Sequence, residues 1–187
     1  MVPESIHQKL RFARKRLDDL EALIANNQLA ADIGARHQLT QEFFFHLIGA
    51  REYLVQLVNE RRSLQLSPEN VDIYEVVRKL VKEKKQSDEL VRVLKELSLN
   101  PRTTPLPADP YSDEGLIYRA INYRNEVVHR NTNPFQFQLG RGPRIAVFGL
   151  DPRDGSRGQS TRSVDEDLSS MFTAIEKRCH TVLTILG

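Results

Sequence analysis

The spacing of apolar residues constrains the fold of this chain more than any other feature of the sequence. Apolar side chains recur at alternating steps of four and three residues, which places them on one face of an α-helix. In segment 5–27 they are Ile6, Leu10, Ala13, Leu17, Leu20 and Ile24. In segment 29–63 they are Phe43, Leu47, Ala50, Leu54 and Leu57, with Phe44, Phe45, Ile48 and Val55 widening the stripe. These patterns predict two long helices, the second of them central to the core.

Capping patterns predict where the later helices begin. A serine followed by a proline, by acidic residues or by a glutamate at the third helical position is typical of a helix N-terminus. These serines are Ser67, Ser112 and Ser163. The predicted helices that follow cover residues 69–84, 88–98 and 112–130, and a last helix runs from Ser163 toward the end of the chain.

The segments between these helices have other compositions. Residues 100–111 contain four prolines and predict a loop. Residues 135–139 and 144–150 alternate weakly around a Gly-Arg-Gly-Pro sequence, which predicts a β-hairpin. Residues 151–162 are rich in Gly, Ser and Arg and predict an exposed loop, so that hairpin and loop together span 135–162. The sequence therefore predicts one all-α domain over 1–187, a bundle of four to six helices with a small β-hairpin insertion before the last helix.

Composition excludes several classes of protein and site. A length of 187 residues fits one domain, and a net charge of +2 gives no strong overall attraction to nucleic acid. No apolar run reaches the roughly 20 residues that span a bilayer, and the first residues lack a signal-peptide core. Cys179 is the only cysteine, so an intrachain disulfide and a cysteine-rich zinc site are excluded. We expect a cytoplasmic protein with no membrane, metal or cofactor.

The segment that carries chemistry is RNEVVH, residues 124–129. Arg124 falls on the apolar stripe of its own helix, where a charge needs a partner, a solvated cleft or an anionic ligand. Asn125 and His129 are four residues apart and share one flank. Arg124 and His129 are five apart, about 140° around a straight helix. They converge only if His129 lies at the fraying end of the helix, or if a second subunit brings its copy alongside.

This segment resembles the motif of the HEPN superfamily, an arginine followed by a polar residue and, a few positions later, a histidine. The sequence FFFHLIGAREYLVQLVNERR at 43–62 also looks similar to that family. The resemblance implies a bundle that dimerises around its motif helices, with the arginines and histidines of both subunits facing one cleft. Active members cut RNA without a metal. Carried over, the resemblance makes Arg124 and His129 catalytic, with Asn125 in support.

The chemistry fits these residue types. RNA supplies its own nucleophile, the 2′-hydroxyl, a histidine can move the proton, and a guanidinium can hold the phosphate. Basic residues nearby could contact RNA or could simply be solvated; they are Arg130, Arg141 and Arg144. We expect a metal-independent endoribonuclease that forms a homodimer through the motif helix. The resemblance implies a toxin–antitoxin or phage-defence system, with an antitoxin partner. The alternative is a non-catalytic dimeric HEPN-like bundle that binds RNA or a protein.

Structural roles for the same residues stay open. His129 near a helix C-terminus can interact with exposed backbone carbonyls. Arg124 can pair with a carboxylate such as Glu126 on a neighbouring chain. His46, between two apolar residues of the second helix, is a core-edge histidine or faces the same cleft as the motif.

Overall fold

Helices account for most of the computed structural model. It describes residues 3–25, 33–67, 69, 71–83, 88–101, 103–130, 135–137, 146–151 and 158–187. In chain order the elements are α1 (Pro3–Ala25), α2 (Ile33–Arg61), α3 (Ile73–Lys82), α4 (Asp88–Leu97), α5 (Asp113–Arg130), β1 (Phe135–Phe137), β2 (Ala146–Phe148) and α6 (Val164–Leu186). The predicted all-α bundle is confirmed at this level. None of the described helices is both long and apolar enough to cross a membrane.

All six described helices contribute buried residues to one core, and four of them form a closed set of contacts. α1 packs on α2, α2 on α5, α5 on α6 and α6 back on α1, and α2 also touches α6. The predicted stripe of α1 is buried at five of its six positions, from Ile6 to Leu20, and Ile24 is partly buried. In α2 the aromatic residues Phe43 and Phe44 are buried, whereas Phe45 is 50% exposed. α2 is therefore central, as its wide stripe predicts, but one of its flanks faces solvent.

The α3–α4 pair extends the same core, with α3 packed against α2 and α4 against α6. The predicted start of α3 is wrong. The helix begins at Ile73, and its N-cap is Asp72, whose Oδ1 accepts a hydrogen bond from the backbone N–H of Glu75 at 2.8 Å. Aspartate satisfies an unpaired N–H at a helix start as well as serine does, so the Ser67–Pro68 pattern is not the one that the chain uses.

Two short strands lie between α5 and α6. β1 and β2 pair antiparallel, with Phe135 opposite Phe148. The segment that follows β2 pairs in turn with residues 158–160, and the backbone N–H of Ser160 donates to the carbonyl of Phe148 at 2.7 Å. Residues 138–145, where the turn of the hairpin was predicted, lie outside the described residues. The predicted exposed loop 151–162 is wrong at two positions, because Asp151 and Ser160 are buried.

The start of α5 is held against the preceding proline-rich segment. Ser112 is the predicted cap, and its Oγ accepts a hydrogen bond from the N–H of Gly115 at 3.1 Å. A Cβ atom at Gly115 would lie 2.4 Å from the carbonyl oxygen of Asp109 and 2.7 Å from backbone atoms of Pro110. Only glycine allows this approach, so Gly115 fixes where the motif helix begins relative to the loop.

We predict that Gly115→Ala destabilises the protein while Gly49→Ala does not. The added methyl at 115 meets backbone that cannot move aside cheaply, and overpacking of this kind costs about 1–3 kcal/mol. A Cβ at Gly49 would lie 3.4 Å from the flexible Lys9 side chain, so the gain in helix propensity, about 1 kcal/mol, should dominate there. Thermal melting of both variants tests this. A Gly115→Ala protein that melts with the wild type would contradict the packing argument.

Candidate functional site

The inward side of α5 is fixed by a buried ion pair. Arg119 donates from both terminal nitrogens to the two carboxylate oxygens of Asp167 on α6, at 3.0 and 2.6 Å. Both side chains are fully buried. The bidentate geometry offsets part of the desolvation of both charges, although the Nε of Arg119 is buried without a described hydrogen-bond partner. This contact joins α5 to α6 and sets the rotation of α5 about its axis.

Two further polar residues extend the same buried side. Asn122 donates to Asp151 at 2.9 Å, and the hydroxyl of Tyr123 donates to the carbonyl of Gly149. Burial raises the pKa of Tyr123, so that its hydroxyl remains a donor. The ring of Tyr123 also stacks on Phe44 of α2. Positions 119, 122 and 123 lie on one face of the helix, and together they tie it to α6 and to the segment after β2.

Arg124 has a different environment. It is 23% exposed, and its Nη2 lies 3.3 Å from Oε1 of Glu52 on α2, a carboxylate that is 53% exposed. Asn125 beside it is also only partly buried. The sequence analysis left a partner, a solvated cleft or an anionic ligand open for Arg124, and one described contact of this arginine is the ion pair with Glu52 of the same chain. Among the described side chains of α5, the fully buried arginine is Arg119.

The remaining predicted site residues lie outside this description. The backbone of α5 is helical through Arg130, so His129 lies within the regular helix. The side chains of His129 and Arg130 fall outside the described residues, as do Arg141 and Arg144 entirely. Because the helix does not end before His129, Arg124 and His129 remain about 140° apart around its axis.

A cleft lies beside the Arg124–Glu52 pair. Its volume is about 300 Å³, and it runs between α2 and the start of α3, where Arg51, Glu52 and Tyr74 contribute to its lining. Arg51 donates from Nε to the carbonyl of Leu97 at 2.7 Å. Burial lowers its pKa, and its charge also interacts with Glu52 and Arg124. Two guanidinium groups therefore lie near one exposed carboxylate.

Sequence reasoning missed two polar residues next to the end of the motif. The side-chain amide of Gln41 on α2 donates to the carbonyl of Val127 at 3.0 Å, and its nitrogen lies 3.0 Å from Nε2 of His37. Both are partly buried. Their spacing of four residues on one helix was the available signal. They place a second imidazole on α2 close to the last turns of α5.

Other reactive side chains lie elsewhere. The ring contacts of His46 are with Phe12 and Phe45 on the outer surface of α1 and α2. Cys179 is buried in the core, and burial raises its pKa to about 12, so its thiol stays protonated. Within the described ranges, no three His, Cys, Asp or Glu side chains come together in a way that could hold a metal ion.

The chain was compared with family models, with curated proteins and with solved structures, and none of them matched.

We predict that breaking the Arg119–Asp167 pair from one side is far more damaging than removing it whole. Asp167→Leu leaves a buried guanidinium uncompensated, which typically costs about 3–5 kcal/mol. Replacing both partners, as Arg119→Met with Asp167→Leu, removes the buried charges together and should recover most of that loss. Urea unfolding of the two proteins tests the coupling. Equal stability of the single and double variants would contradict a closed, buried pair.

Proposed function

We propose that this protein is a metal-independent endoribonuclease of the HEPN type, with Arg124 holding the scissile phosphate, His129 moving protons and Asn125 in support. One observation carries the proposal. Two arginines of the motif helix have described side chains. Arg119 pairs with a fully buried carboxylate, whereas Arg124 is 23% exposed and contacts a carboxylate that is 53% exposed. Exposed ion pairs contribute only about 0–1 kcal/mol. A phosphate can therefore replace Glu52 at Arg124 with little loss.

The proposed reaction is transesterification within the RNA. A neutral histidine takes the proton of the 2′-hydroxyl, whose oxygen attacks the adjacent phosphorus. The bond from phosphorus to the 5′-oxygen breaks, and a protonated histidine gives that oxygen its proton. The products are a 2′,3′-cyclic phosphate and a free 5′-hydroxyl. Arg124 stabilises the negative charge of the transition state through paired hydrogen bonds.

This chemistry uses two imidazoles in opposite protonation states. His129 of a single chain diverges from Arg124 around the helix, so the proposal includes a homodimer in which two α5 helices supply one composite site. Sedimentation equilibrium at tens of micromolar measures the assembly. A strict monomer at these concentrations argues against the composite site. A toxin–antitoxin or phage-defence setting, with an antitoxin partner, rests on the family resemblance alone.

We predict that the two motif residues fail differently when replaced. His129→Ala should abolish cleavage of single-stranded RNA and retain most binding, because a neutral imidazole adds little to phosphate affinity. Arg124→Ala should weaken both, because it removes a charged phosphate contact. Cleavage gels and fluorescence anisotropy measure the two properties. Arg92→Ala is the matched control, since it also removes an arginine that forms an ion pair, but on α4 and not on the motif helix.

Chelation of metals and a DNA substrate provide two further controls for this experiment. Activity should persist in EDTA, and DNA of the same sequence should stay intact because it lacks the 2′-hydroxyl. Binding without cleavage by the wild type would favour the alternative, a non-catalytic dimeric bundle that binds RNA. Loss of cleavage on chelation, with recovery on adding magnesium, would overturn the mechanism.

We predict that Glu52→Gln tightens RNA binding. The substitution removes the carboxylate that competes with phosphate for Arg124. Because exposed pairs are worth about 0.2–1 kcal/mol, the affinity should rise by roughly 1.5- to fivefold. Glu89→Gln on α4, an exposed glutamate near Arg92, controls for the change in net charge. An unchanged affinity together with a large drop in melting temperature would identify the Arg124–Glu52 pair as structural.

A further inference from the structure

The outer surface of α1 and α2 carries an exposed aromatic patch, formed by Phe12, Phe45 and His46. Phe12 is 41% exposed and Phe45 is 50% exposed, which makes them two of the four large hydrophobic side chains that are exposed in the described part of the chain. Their rings are arranged around His46, with centroid distances of 5.1 Å to Phe12 and 5.3 Å to Phe45. Exposed apolar clusters of this kind commonly mark binding surfaces.

A lysine is held at the edge of this patch. The Lys9 ammonium lies 4.3 Å from the centroid of the Phe45 ring and 5.8 Å from that of Tyr53. The aliphatic part of the Lys9 side chain passes over Gly49, which lies one helical turn from both Phe45 and Tyr53. A Cβ atom at Gly49 would be in contact with this lysine side chain. Among the described residues no carboxylate is within ion-pair distance of Lys9. Its charge is therefore positioned by aromatic rings and is available to an anion.

The groups around His46 favour a neutral ring. Burial lowers the pKa of His46, and the nearby cations Lys9 and Arg16 lower it further, while Glu42 acts in the opposite direction. Arg16 itself pairs with Glu42 at 2.7 Å. The patch thus presents neutral aromatic rings with a cation beside them.

The aromatic patch includes a residue of α2 that lies on the same helix face as Glu52. Phe45, Gly49 and Glu52 occupy positions i, i+4 and i+7 of α2 and share one face. Glu52 contacts Arg124. Seven residues of helix span about 10 Å, so a short stretch of extended single strand can reach from the patch to the motif arginine.

We infer that the aromatic patch is a base-stacking subsite for single-stranded RNA, in which Phe45 and Phe12 stack on unpaired bases and Lys9 contacts a backbone phosphate. The inference rests on the proposed function, because it places the scissile phosphate at Arg124. Aromatic rings beside a cation match what single-stranded nucleic acid presents, a flat base next to an anion, and in the described part of the chain no carboxylate pairs with this cation.

The test measures binding of the full-length protein to two oligonucleotides of equal length, one a DNA strand with bases and the other an abasic backbone. DNA is not cut, so binding is separated from catalysis. Phe45→Ala should weaken binding of the base-containing strand roughly five- to 150-fold and affect the abasic strand much less, since only the ring that positions Lys9 is lost there. Phe12→Ala is a second, independent variant. Val81→Ala, which trims an apolar residue of α3 that is 44% exposed, is the control.

The same binding experiment tests the role of Lys9 separately, through the affinity for both strands and its dependence on salt. Lys9→Ala should weaken both strands and reduce the slope of log affinity against log salt by about 0.7, the value for one phosphate contact on a single strand. Arg78→Ala removes an exposed cation of α3 and should change neither the affinity for the two strands nor the salt slope. An equal effect of Phe45→Ala on both strands, or no effect on either, overturns the stacking subsite.

The outcomes also separate this inference from the proposed function. If Phe45→Ala leaves binding intact while His129→Ala abolishes cleavage, the subsite is wrong and the nuclease stands. If stacking is found but wild-type protein never cuts RNA, the nuclease is wrong and the subsite stands. If Phe45→Ala instead dissociates a dimer, the aromatic patch is an interface between copies and the subsite is overturned.

Discussion

The buried pair of Arg119 and Asp167 is the contact on which the candidate site depends. It connects two helices that are distant in the sequence, and its bidentate geometry fixes α5 against rotation. Arg124 follows five residues later, about 140° around the helix. Once Arg119 faces inward, Arg124 must turn toward α2 and solvent. The orientation of the motif is thus a consequence of a charge pair that has no contact with the motif itself.

The two carboxylates that pair with arginines of α5 differ in environment, and this difference separates structure from function. Asp167 is fully buried, so its partner is committed to it. Glu52 is more than half exposed, so water screens its attraction for Arg124 and the contact exchanges easily. The same residue types therefore build a permanent tie on one side of the helix and a replaceable one on the other. Only the replaceable pair can take part in binding a phosphate.

Periodicity was sufficient to predict the helices, because apolar spacing reports directly on the buried face of each. It failed for the rotation of α5. Residues 115–123 are buried at every position, since α2, α6 and the segment after β2 surround this helix, and no single stripe then marks the inside. Arg124 therefore looked like the charge on the apolar face, whereas Arg119 is the buried one. Its partner lies 48 residues away, and local patterns do not show contacts over that distance. The start of α3 shows the same limit at short range. Ser67 and Asp72 are both suitable N-cap residues, and the local sequence does not show that Asp72 is the one used.

The low net charge of +2 bears on how such a protein could hold RNA. General electrostatic attraction is weak at this charge, so affinity must come from a few placed cations and from contacts that do not depend on salt. Stacking on aromatic rings is a contact of that kind, and it requires bases that are not already stacked in a duplex. The exposed rings of Phe12 and Phe45 can supply such stacking contacts, and Lys9 beside Phe45 can supply a placed cation. If the proposed function holds, the binding surface itself would select unpaired RNA, before any catalytic group takes part.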